Sequence, residues 1–247
     1  MELSRKTQRQ AGFVLLVVLI GLSMLSLLLG ASMQTMVTHT KLAEISFKRD
    51  REAMLFDGIL ELAGMQAALS LRQVSTPLAD QAFSFEGQSE SVTYHVQDVA
   101  GLVDLNTAPF ELIEKLLADQ RNPDQLIVTL ADLRQRRTRL SSVDDLQSLP
   151  GIDLRRLFEV DTFFTVFSGR RGIDPASAPV ALLERLTGQK GSRAKLTDAL
   201  PSAWIQPPTR RIFKVRATKD GRSFGPESTI LITSGATFNI RVLETRR

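Results

Sequence analysis

The feature that most constrains this chain is an uninterrupted apolar segment near its N-terminus. Residues 13–33 have the sequence FVLLVVLIGLSMLSLLLGASM and contain no charged residue. As an α-helix rising ~1.5 Å per residue, the segment would extend roughly 30 Å, the thickness of the hydrocarbon core of a bilayer. Arg5, Lys6 and Arg9 precede it. The positive-inside rule therefore predicts a cytoplasmic N-terminus and places the rest of the chain across the membrane.

Composition removes several classes of protein. The 247 residues include no Cys, which excludes disulfides, a CxxC redox pair and thiolate-bound zinc. Two His, His39 and His95, are too few for a multi-histidine metal site. Part of the net charge of +4 lies before the apolar run, so the charge is weak evidence for a nucleic-acid partner. The motifs GxxxxGK[ST], GxGxxG, HExxH and GxSxG are all missing, and we expect no enzymatic activity.

The helical pattern continues beyond the apolar run. No Pro occurs before Pro77, and apolar residues recur at spacings of three and four after residue 52. That spacing is typical of one face of a helix. Its members are Ala53, Phe56, Leu60, Ala63, Ala67 and Leu71. The sequence therefore predicts one helix over about 13–72, whose second half packs on a globular head.

Two kinds of pattern follow the long helix. Polar and apolar residues alternate near 82–96 and again near 213–242, which predicts strands on either side of a block with helical spacing. Within that block, Ser142 and Asp145 form a capping signal for a short helix. The order predicts an α+β fold: a long N-terminal transmembrane helix packs on an antiparallel sheet, and a mainly helical domain is inserted between strands.

We divide the chain into five predicted segments. They are an N-terminal leader (1–12), a transmembrane helix (13–33), the rest of the long helix with the first hairpin (34–97), the inserted helical domain (98–205) and the C-terminal strands that complete the sheet (206–247).

Two segments of the helical block are similar to each other. GLVDLNTAPFELIEKL, which begins at Gly101, aligns with GIDPASAPVALLERL, which begins at Gly172, if a one-residue gap is allowed. Each has an Asp, then a polar capping residue, then Ala-Pro at a helix start. The pattern predicts two similar helix starts and does not require a ligand.

The residues before the apolar run resemble a processing signal. Gln10-Ala11-Gly12-Phe13 is similar to the class III signal of type IV pilins and type II secretion pseudopilins. The resemblance implies that a prepilin peptidase cuts between Gly12 and Phe13, methylates the new N-terminal Phe and leaves the helix in place. These families normally have Glu at the fifth mature position, where this chain has Val17. A carboxylate in the membrane needs a partner, so its absence is expected of a subunit at the tip of a fibre.

Element order and three motifs extend the resemblance over the full length. Protein K of the type II (general) secretion pathway is the minor pseudopilin that typically lacks this Glu, and it has a pilin-like sheet with a helical insertion. The chain is similar to that GspK-like family at 97–109, at 142–151 (SVDDLQSLPG) and at 163–179. Asp174 and Ala176 stand where the family usually has Asn.

The resemblance implies a non-enzymatic minor pseudopilin in the bacterial inner membrane, with its head in the periplasm. It would join the I- and J-type minor pseudopilins at the tip of the pseudopilus, initiate or cap assembly, and support protein export across the outer membrane. Its apolar helix would pack against other helices through small residues. These are Gly21, Ser23, Gly30 and Ala31.

The resemblance implies no cofactor other than calcium, which several pseudopilins bind through Asp, Asn and backbone oxygens. The candidates in this chain are Asp98, Asp104, Asn106 and Asp174. No twelve-residue EF-hand loop is present. The same four side chains are also suited to capping helices, and we favour that role.

Other interpretations stay open. The apolar run also fits an uncleaved anchor or an ordinary secretory signal, and a type IV pilus or competence apparatus has related tip proteins. A membrane-anchored helix-hairpin-helix DNA-binding protein would hold phosphates with the hairpin at Leu149-Pro-Gly-Ile and nearby basic residues. Those are Arg134, Arg136, Arg137, Arg139, Arg155 and Arg156. Asp153 occupies the position of the hairpin's usual second Gly, so no nucleic acid is expected, and the Arg residues are predicted to form a solvated face.

Overall fold

The computed structural model describes residues 3–72, 78–87, 91–118, 123–149, 161–209, 211–234 and 238–246. By its internal contacts, the chain divides into two units, Met1–Met54 and Leu55–Arg247.

The N-terminal element is a single helix, α1, over Leu3–Arg72. It ends where the sequence predicts and begins about ten residues earlier, so the predicted leader is helical too. Side chains at 18–27 and 38–54 are exposed. The hydroxyls of Ser23, Thr38 and Thr40 each donate to the carbonyl oxygen four residues earlier, at 2.8 Å. These bonds satisfy polar side chains without interrupting the helix.

Within the residues that the structure describes, no helical stretch is both long enough and apolar enough to cross a membrane. The predicted span, 13–33, includes side chains at 13–17 and 28–32 that lie outside the described ones. The membrane span stays a prediction.

An antiparallel sheet forms the head in the unit 55–247. Its strands lie in the order β1-β2-β5-β7-β8, and β6 pairs with the end of β5. The bounds are β1 Gln81–Glu86, β2 Ser91–Asp98, β5 Ile212–Lys219, β6 Arg222–Ser223, β7 Glu227–Ser234 and β8 Phe238–Arg246. Strands β2 and β5 are neighbours in the sheet, so the intervening residues 99–211, the insert, leave and re-enter the sheet at adjacent strands.

The C-terminal part of α1 packs on one face of this sheet. Phe56, Ile59 and Ala63 on the helix are buried in the same core as Tyr94 and Val215. Each large apolar side chain buried in this way contributes about 1.5–3 kcal/mol. The alternation in β2 and β5 therefore places one face of the sheet against α1, as the sequence pattern predicts.

The insert has a second core of its own. Its helices are α2 Phe110–Leu117, α3 Pro123–Gln135, α4 Val180–Thr187 and α5 Arg193–Asp198. Two short strands, β3 Val103–Asp104 and β4 Phe164–Thr165, pair in parallel between them. Leu residues of the helices dominate this core, so the helical block predicted from spacing is helical and inserted between strands.

The capping signal at Ser142 is confirmed, and the short helix that it begins is a 3-10 helix over Val143–Ser148. After β5, Asp220 and Gly221 form a turn in which both residues have positive φ (52° and 74°). The strand β6 is too short to show alternation in the sequence. The sequence also predicts a second short helix from Asp153, which lies outside the described residues.

Candidate functional site

The predicted processing junction lies within α1, but its side chains lie outside those the structure describes. This applies to Gly12, Phe13 and Val17, and also to Gly30 and Ala31 among the predicted packing residues. Of the remaining two, Gly21 has no atom within 4 Å of the position where a Cβ would stand, and Ser23 is bonded within the helix. The processing and packing roles stay predictions.

Exposed apolar side chains occur along α1 in both units. In the unit 55–247, Met65 and Leu69 are 54% and 47% exposed, one helical turn apart and away from the core face. In the unit 1–54, the exposed apolar side chains include those of Val18, Leu19, Ile20, Leu22, Met24, Leu25, Leu27, Met33, Met36, Leu42, Ile45, Phe47 and Met54. Clustered exposed apolar residues mark interaction surfaces, and Met adapts readily to a partner's shape.

Hydrogen bonds join the two segments that connect the sheet to the insert. The Asp98 carboxylate, at the end of β2, accepts hydrogen bonds from Ala100 N (2.8 Å) and from Thr209 Oγ1 (2.6 Å). Asp98 is 3% exposed. A buried carboxylate needs such partners, and here they join the segment that leaves the sheet to the segment that returns to it.

The first of the two similar segments, 101–117 (the first module), forms a turn built on Asp104. Its Oδ1 accepts from Asn106 N (2.8 Å) and Thr107 N (3.1 Å), which caps the turn. Its Oδ2 accepts from Ser168 Oγ (3.1 Å) and Gly169 N (2.8 Å). Asp104 is fully buried, so the capping carboxylate also holds the loop after β4.

The second segment, 172–187 (the second module), repeats the turn. Asp174 Oδ1 accepts from Ala176 N at 3.2 Å, and Oδ2 accepts from Ser177 Oγ. As in the first module, Ala-Pro follows, and the Pro179 carbonyl accepts from the first turn of α4. The internal repeat predicted from sequence is therefore a repeat of local structure.

An arginine from the second helix after each turn closes that turn. Arg134, near the end of α3, donates to Leu105 O and Ala108 O, both at 2.7 Å. Arg193, at the start of α5, donates to three carbonyl oxygens of the second turn. They are those of Pro175 (2.8 Å), Ala176 (2.8 Å) and Ala178 (2.6 Å). Alignment of Asp104 with Asp174 makes Leu105 and Ala108 equivalent to Pro175 and Ala178, so both arginines bind equivalent carbonyls.

The second module also contacts residues 100–101, where the chain leaves the sheet after β2. Asp174 N donates to Ala100 O at 2.7 Å, and a Cβ on Gly101 would stand 2.2 Å from Ser177 O. A Cβ on Gly172 would likewise stand 2.1 Å from Trp204 O. Glycine is therefore required at the start of each module by close backbone approach.

The four calcium candidates all take part in these turns. Asp98, Asp104 and Asp174 accept backbone N–H bonds, and Asn106 bonds Leu140 in both directions, with Nδ2 to Leu140 O at 3.0 Å and Leu140 N to Oδ1 at 2.9 Å. Among the described residues, no group of three or more His, Asp or Glu is arranged to hold a metal ion. Calcium binding stays a prediction.

Two of the arginines proposed for phosphate binding, Arg134 and Arg136, have different partners. Arg134 is half-buried and packs over the Phe110 ring at 4.4 Å, so the expectation that it lies on a solvated face is wrong. Burial lowers the pKa of its guanidinium, and Asp104 partly opposes this. Arg136 is exposed and pairs with Asp132 at 2.9 Å. Most of the hairpin, with Arg155 and Arg156, lies outside the described residues.

The face of the sheet opposite α1 carries a network of charges. Lys214 Nζ lies 2.8 Å from Glu227 Oε1, and Arg216 lies 2.7 Å from Asp80 Oδ1. His95, on the same face of β2, is 28% exposed, with Nδ1 3.6 Å from the same Asp80 oxygen. With Arg216 and Glu227, it lines a cavity of about 390 Å³.

The insert contacts this charged face through the 3-10 helix Val143–Ser148. Arg246 at the end of β8 bonds Asp144. Burial raises the pKa of the neighbouring Glu244, a hydrogen bond with Ser142 and the charge of Arg246 partly lower it, and the Asp144 and Glu227 carboxylates raise it.

Sequence reasoning missed the closing arginines and Thr209. Each acts across a long stretch of chain, from Arg134 to Leu105 or from Thr209 to Asp98. No spacing rule connects such positions. The one available signal was the repeat itself, which predicts equivalent turns and so invites a search for equivalent partners.

Comparison with known proteins gives a likeness in fold. No family model matches the chain, and no curated protein matches it in sequence. A chain in the crystal structure of the GspK–GspI–GspJ complex from the type 2 secretion system of enterotoxigenic Escherichia coli resembles it with a TM-score of 0.56 and 14% identity. The match covers 82% of this chain and 98% of that chain. At this identity the likeness establishes the fold, which is GspK-like.

Proposed function

We propose that this chain is a minor pseudopilin of a bacterial type II secretion system that acts at the tip of the pseudopilus. Its helical insert stands between adjacent strands of the pilin-like sheet, initiates or caps assembly, and so supports protein export across the outer membrane. It is a structural protein without a catalytic role.

One observation supports this proposal above the others. The insert 99–211 leaves and re-enters the sheet at adjacent strands, β2 and β5, under which α1 packs. The GspK-like likeness covers 82% of this chain, which is too much for it to leave out either the sheet or the insert. A simple membrane anchor followed by an unrelated helical domain would not require that arrangement.

The proposed partners are other minor pseudopilins, of the I and J types. The similar structure is a complex of GspK with GspI and GspJ. In this chain, Met65 and Leu69 expose apolar surface on the side of α1 away from the core. Burial of such side chains against another subunit would remove them from water at about 25 cal/mol per Å². We assign this face of α1 to contact with a partner subunit.

The proposal includes the processing steps that the N-terminal residues imply. A prepilin peptidase cuts between Gly12 and Phe13, the helix over 13–33 stays in the inner membrane, and the head lies in the periplasm. Val17, in place of Glu, removes the need for a subunit ahead in the fibre.

The mass of the mature N-terminal peptide tests this proposal. We expect N-methylated Phe13 in protein taken from membranes. Gly12→Asp should leave the leader attached and abolish secretion, whereas Gly21→Ala, at a glycine of the same helix with open space around it, should be processed normally. A mature N-terminus near Ser32, or an intact Met1 in wild-type protein, would return the DNA-binding and simple-anchor interpretations to consideration.

The partner face is tested separately. Met65→Glu and Leu69→Glu should each weaken co-purification with I- and J-type pseudopilins at least tenfold, since a charge would enter an apolar contact. Met65→Leu retains the apolar surface and is the control. Unchanged co-purification of both Glu variants would remove α1 from the interface.

A further inference from the structure

The sheet of the head has two edges, and each exposes backbone groups. Strands β1 and β8 are the outer strands. An edge strand leaves alternate N–H and C=O groups unpaired, and these can bond another extended chain. Proteins that do not use such an edge normally block it with charges, proline, a bulge or a covering element.

The β8 edge has several of these blocks. Charged residues Arg241, Glu244 and Arg246 occur along the strand. The register with β7 shifts between Thr229 and Ile230. The insert bonds the end of the strand through Asp144 and Arg246. An added strand would meet charge, a local irregularity and the insert at this edge.

Among the described residues, the β1 edge shows none of these blocks apart from one terminal charge. Its sequence, QAFSFE, contains no Lys, Arg or Pro, and its single charge, Glu86, is at the end. All six residues pair with β2 in one continuous register, from Gln81 with Val96 to Glu86 with Ser91. Of the strands that the structure describes, none pairs with the outer side of β1. Within the described part of the chain, the edge is therefore regular and has no covering strand.

The side chains of β1 specify the kind of strand that fits. On the face toward α1, Phe83 and Phe85 are only partly buried against the core, and Phe83 stacks on Tyr94 with ring centroids 5.4 Å apart. On the other face, Ala82 and Ser84 are small and exposed. An added strand with apolar residues at every second position would continue the aromatic row and meet no steric obstacle on the opposite face.

We propose that the outer edge of β1 binds an extended segment of a partner pseudopilin, which adds a sixth strand to the row β1-β2-β5-β7-β8. The segment alternates apolar with small or polar residues. This inference rests on the proposed function, since it takes the partner from the same assembly. The contact is main-chain pairing, and side chains at Phe83 and Phe85 set the register.

Amide hydrogen exchange tests the edge directly. The full chain is compared alone in detergent and co-purified with its I- and J-type pseudopilins. We expect amides within 81–86 to exchange at least tenfold more slowly in the complex, while those of the blocked edge, 238–246, stay unchanged. Protection of 55–72 without protection of 81–86 would overturn the inference and leave the proposed function standing. Failure to form any complex would overturn both.

Two variants give an independent test. Ala82→Lys and Ser84→Lys add the charge that natural edges use as a block, at exposed positions that the head does not need for its core. Each should weaken the complex at least tenfold while the melting temperature stays within a few degrees of wild type. Asn239→Lys, exposed on β8, is the matched control and should bind normally. Wild-type binding by both β1 variants would refute strand addition at this edge.

Discussion

The two modules of the insert begin with similar residues and form the same turn, but they connect to the rest of the insert in different ways. Asp104 and Asp174 each accept the N–H two residues ahead, at 2.8 Å and 3.2 Å. The second oxygen of Asp104 reaches Ser168 and Gly169, whereas that of Asp174 bonds Ser177 of its own turn. The capping atoms are shared, and the distant partners are not.

Backbone atoms connect the second module instead. Ile173 N donates to Trp204 O and Gln206 N donates to Ile173 O, both at 2.8 Å, while Asp174 N donates to Ala100 O. Backbone bonds tolerate many side chains, and buried side-chain bonds tolerate few. The comparison therefore teaches that a repeated pattern can fix a local turn while the sensitivity of each copy to mutation depends on its long-range partners.

The largest difference is expected at the two aspartates. Asp104→Ala removes four hydrogen bonds and leaves the half-buried Arg134 without a nearby carboxylate, so it should cost about 3–5 kcal/mol, as for a broken buried ion pair. Asp174→Ala removes a local cap and should cost about 1–2 kcal/mol. Urea unfolding of both variants measures the difference. Equal losses would mean that the bonds to Ser168 and Gly169 add nothing.

The closing arginines should differ in the same direction. Arg134→Ala loses two bonds from a charged donor and its contact with the Phe110 ring, which should cost about 2–3 kcal/mol. Arg193 lies on a short, more exposed helix, and Arg193→Ala should cost about 1–2 kcal/mol. Arg136→Ala, on the same helix as Arg134 but exposed, is the control and should cost under about 0.5 kcal/mol. A larger loss at Arg193 would reverse the ranking of the modules.

The residue two positions after each capping Asp differs between the modules: it is Asn106 in the first and Ala176 in the second. Asn106 bonds Leu140 through both ends of its amide, so Asn106→Ala should lower stability by about 1–3 kcal/mol. Its counterpart, Ala176, is exposed, and Ala176→Asn should change stability by less than about 0.5 kcal/mol. Thermal melts of the two variants are the measurement. A stabilising Ala176→Asn would indicate that the second module can form the bridge that only the first is seen to make.

Much of this fold follows from sequence patterns that act over short distances. Alternation predicted the strands, the spacing of three and four predicted α1, and the Ser142–Asp145 pair predicted a capped helix. The repeat of the Asp and Ala-Pro pattern predicts two similar helix starts. Each helix or strand signal depends on residues that are close together in the sequence, and the repeat only applies the same local signal twice.

The remaining features depend on contacts across the sequence. Arg134 was predicted to be solvated because an Arg on a helix usually is, and nothing nearby indicates that Leu105 and Ala108 would offer it carbonyl oxygens. The Asp98–Thr209 bond spans the entire insert. The edge character of β1 depends on the strand order, which alternation alone does not give. The processing residues Gly12 and Phe13 rest on the resemblance.

The smallest expected difference between the modules is one of pH dependence. After the first module, Ser142 and Asp145 form a capping box. Burial alone would raise the pKa of the Asp145 carboxyl group. Hydrogen bonds from the N–H groups of Ser142 and Ser141 and from the Ser141 hydroxyl outweigh this and lower the pKa below its ordinary value. After the second module, the Ser192 side chain at the start of α5 makes no capping bond. A lowered carboxyl pKa stabilises the fold above the unfolded value of about 3.9, and this contribution is lost as the pH falls through the folded pKa.

Asp145→Asn should therefore flatten the acid limb of the stability curve, with an effect below about 1 kcal/mol because the carboxylate is partly exposed and screened by solvent. Glu244 should change the pH dependence of stability in the opposite direction. Its raised pKa means that the folded state binds the proton more tightly, so stability falls as the pH rises above the unfolded value of about 4.3 toward the folded pKa. Glu244→Gln should remove that decline, while Ser192→Ala should leave the curve unchanged. Urea unfolding between pH 3 and 7 separates the three, and a flat wild-type curve would show that neither carboxyl group couples the insert to pH.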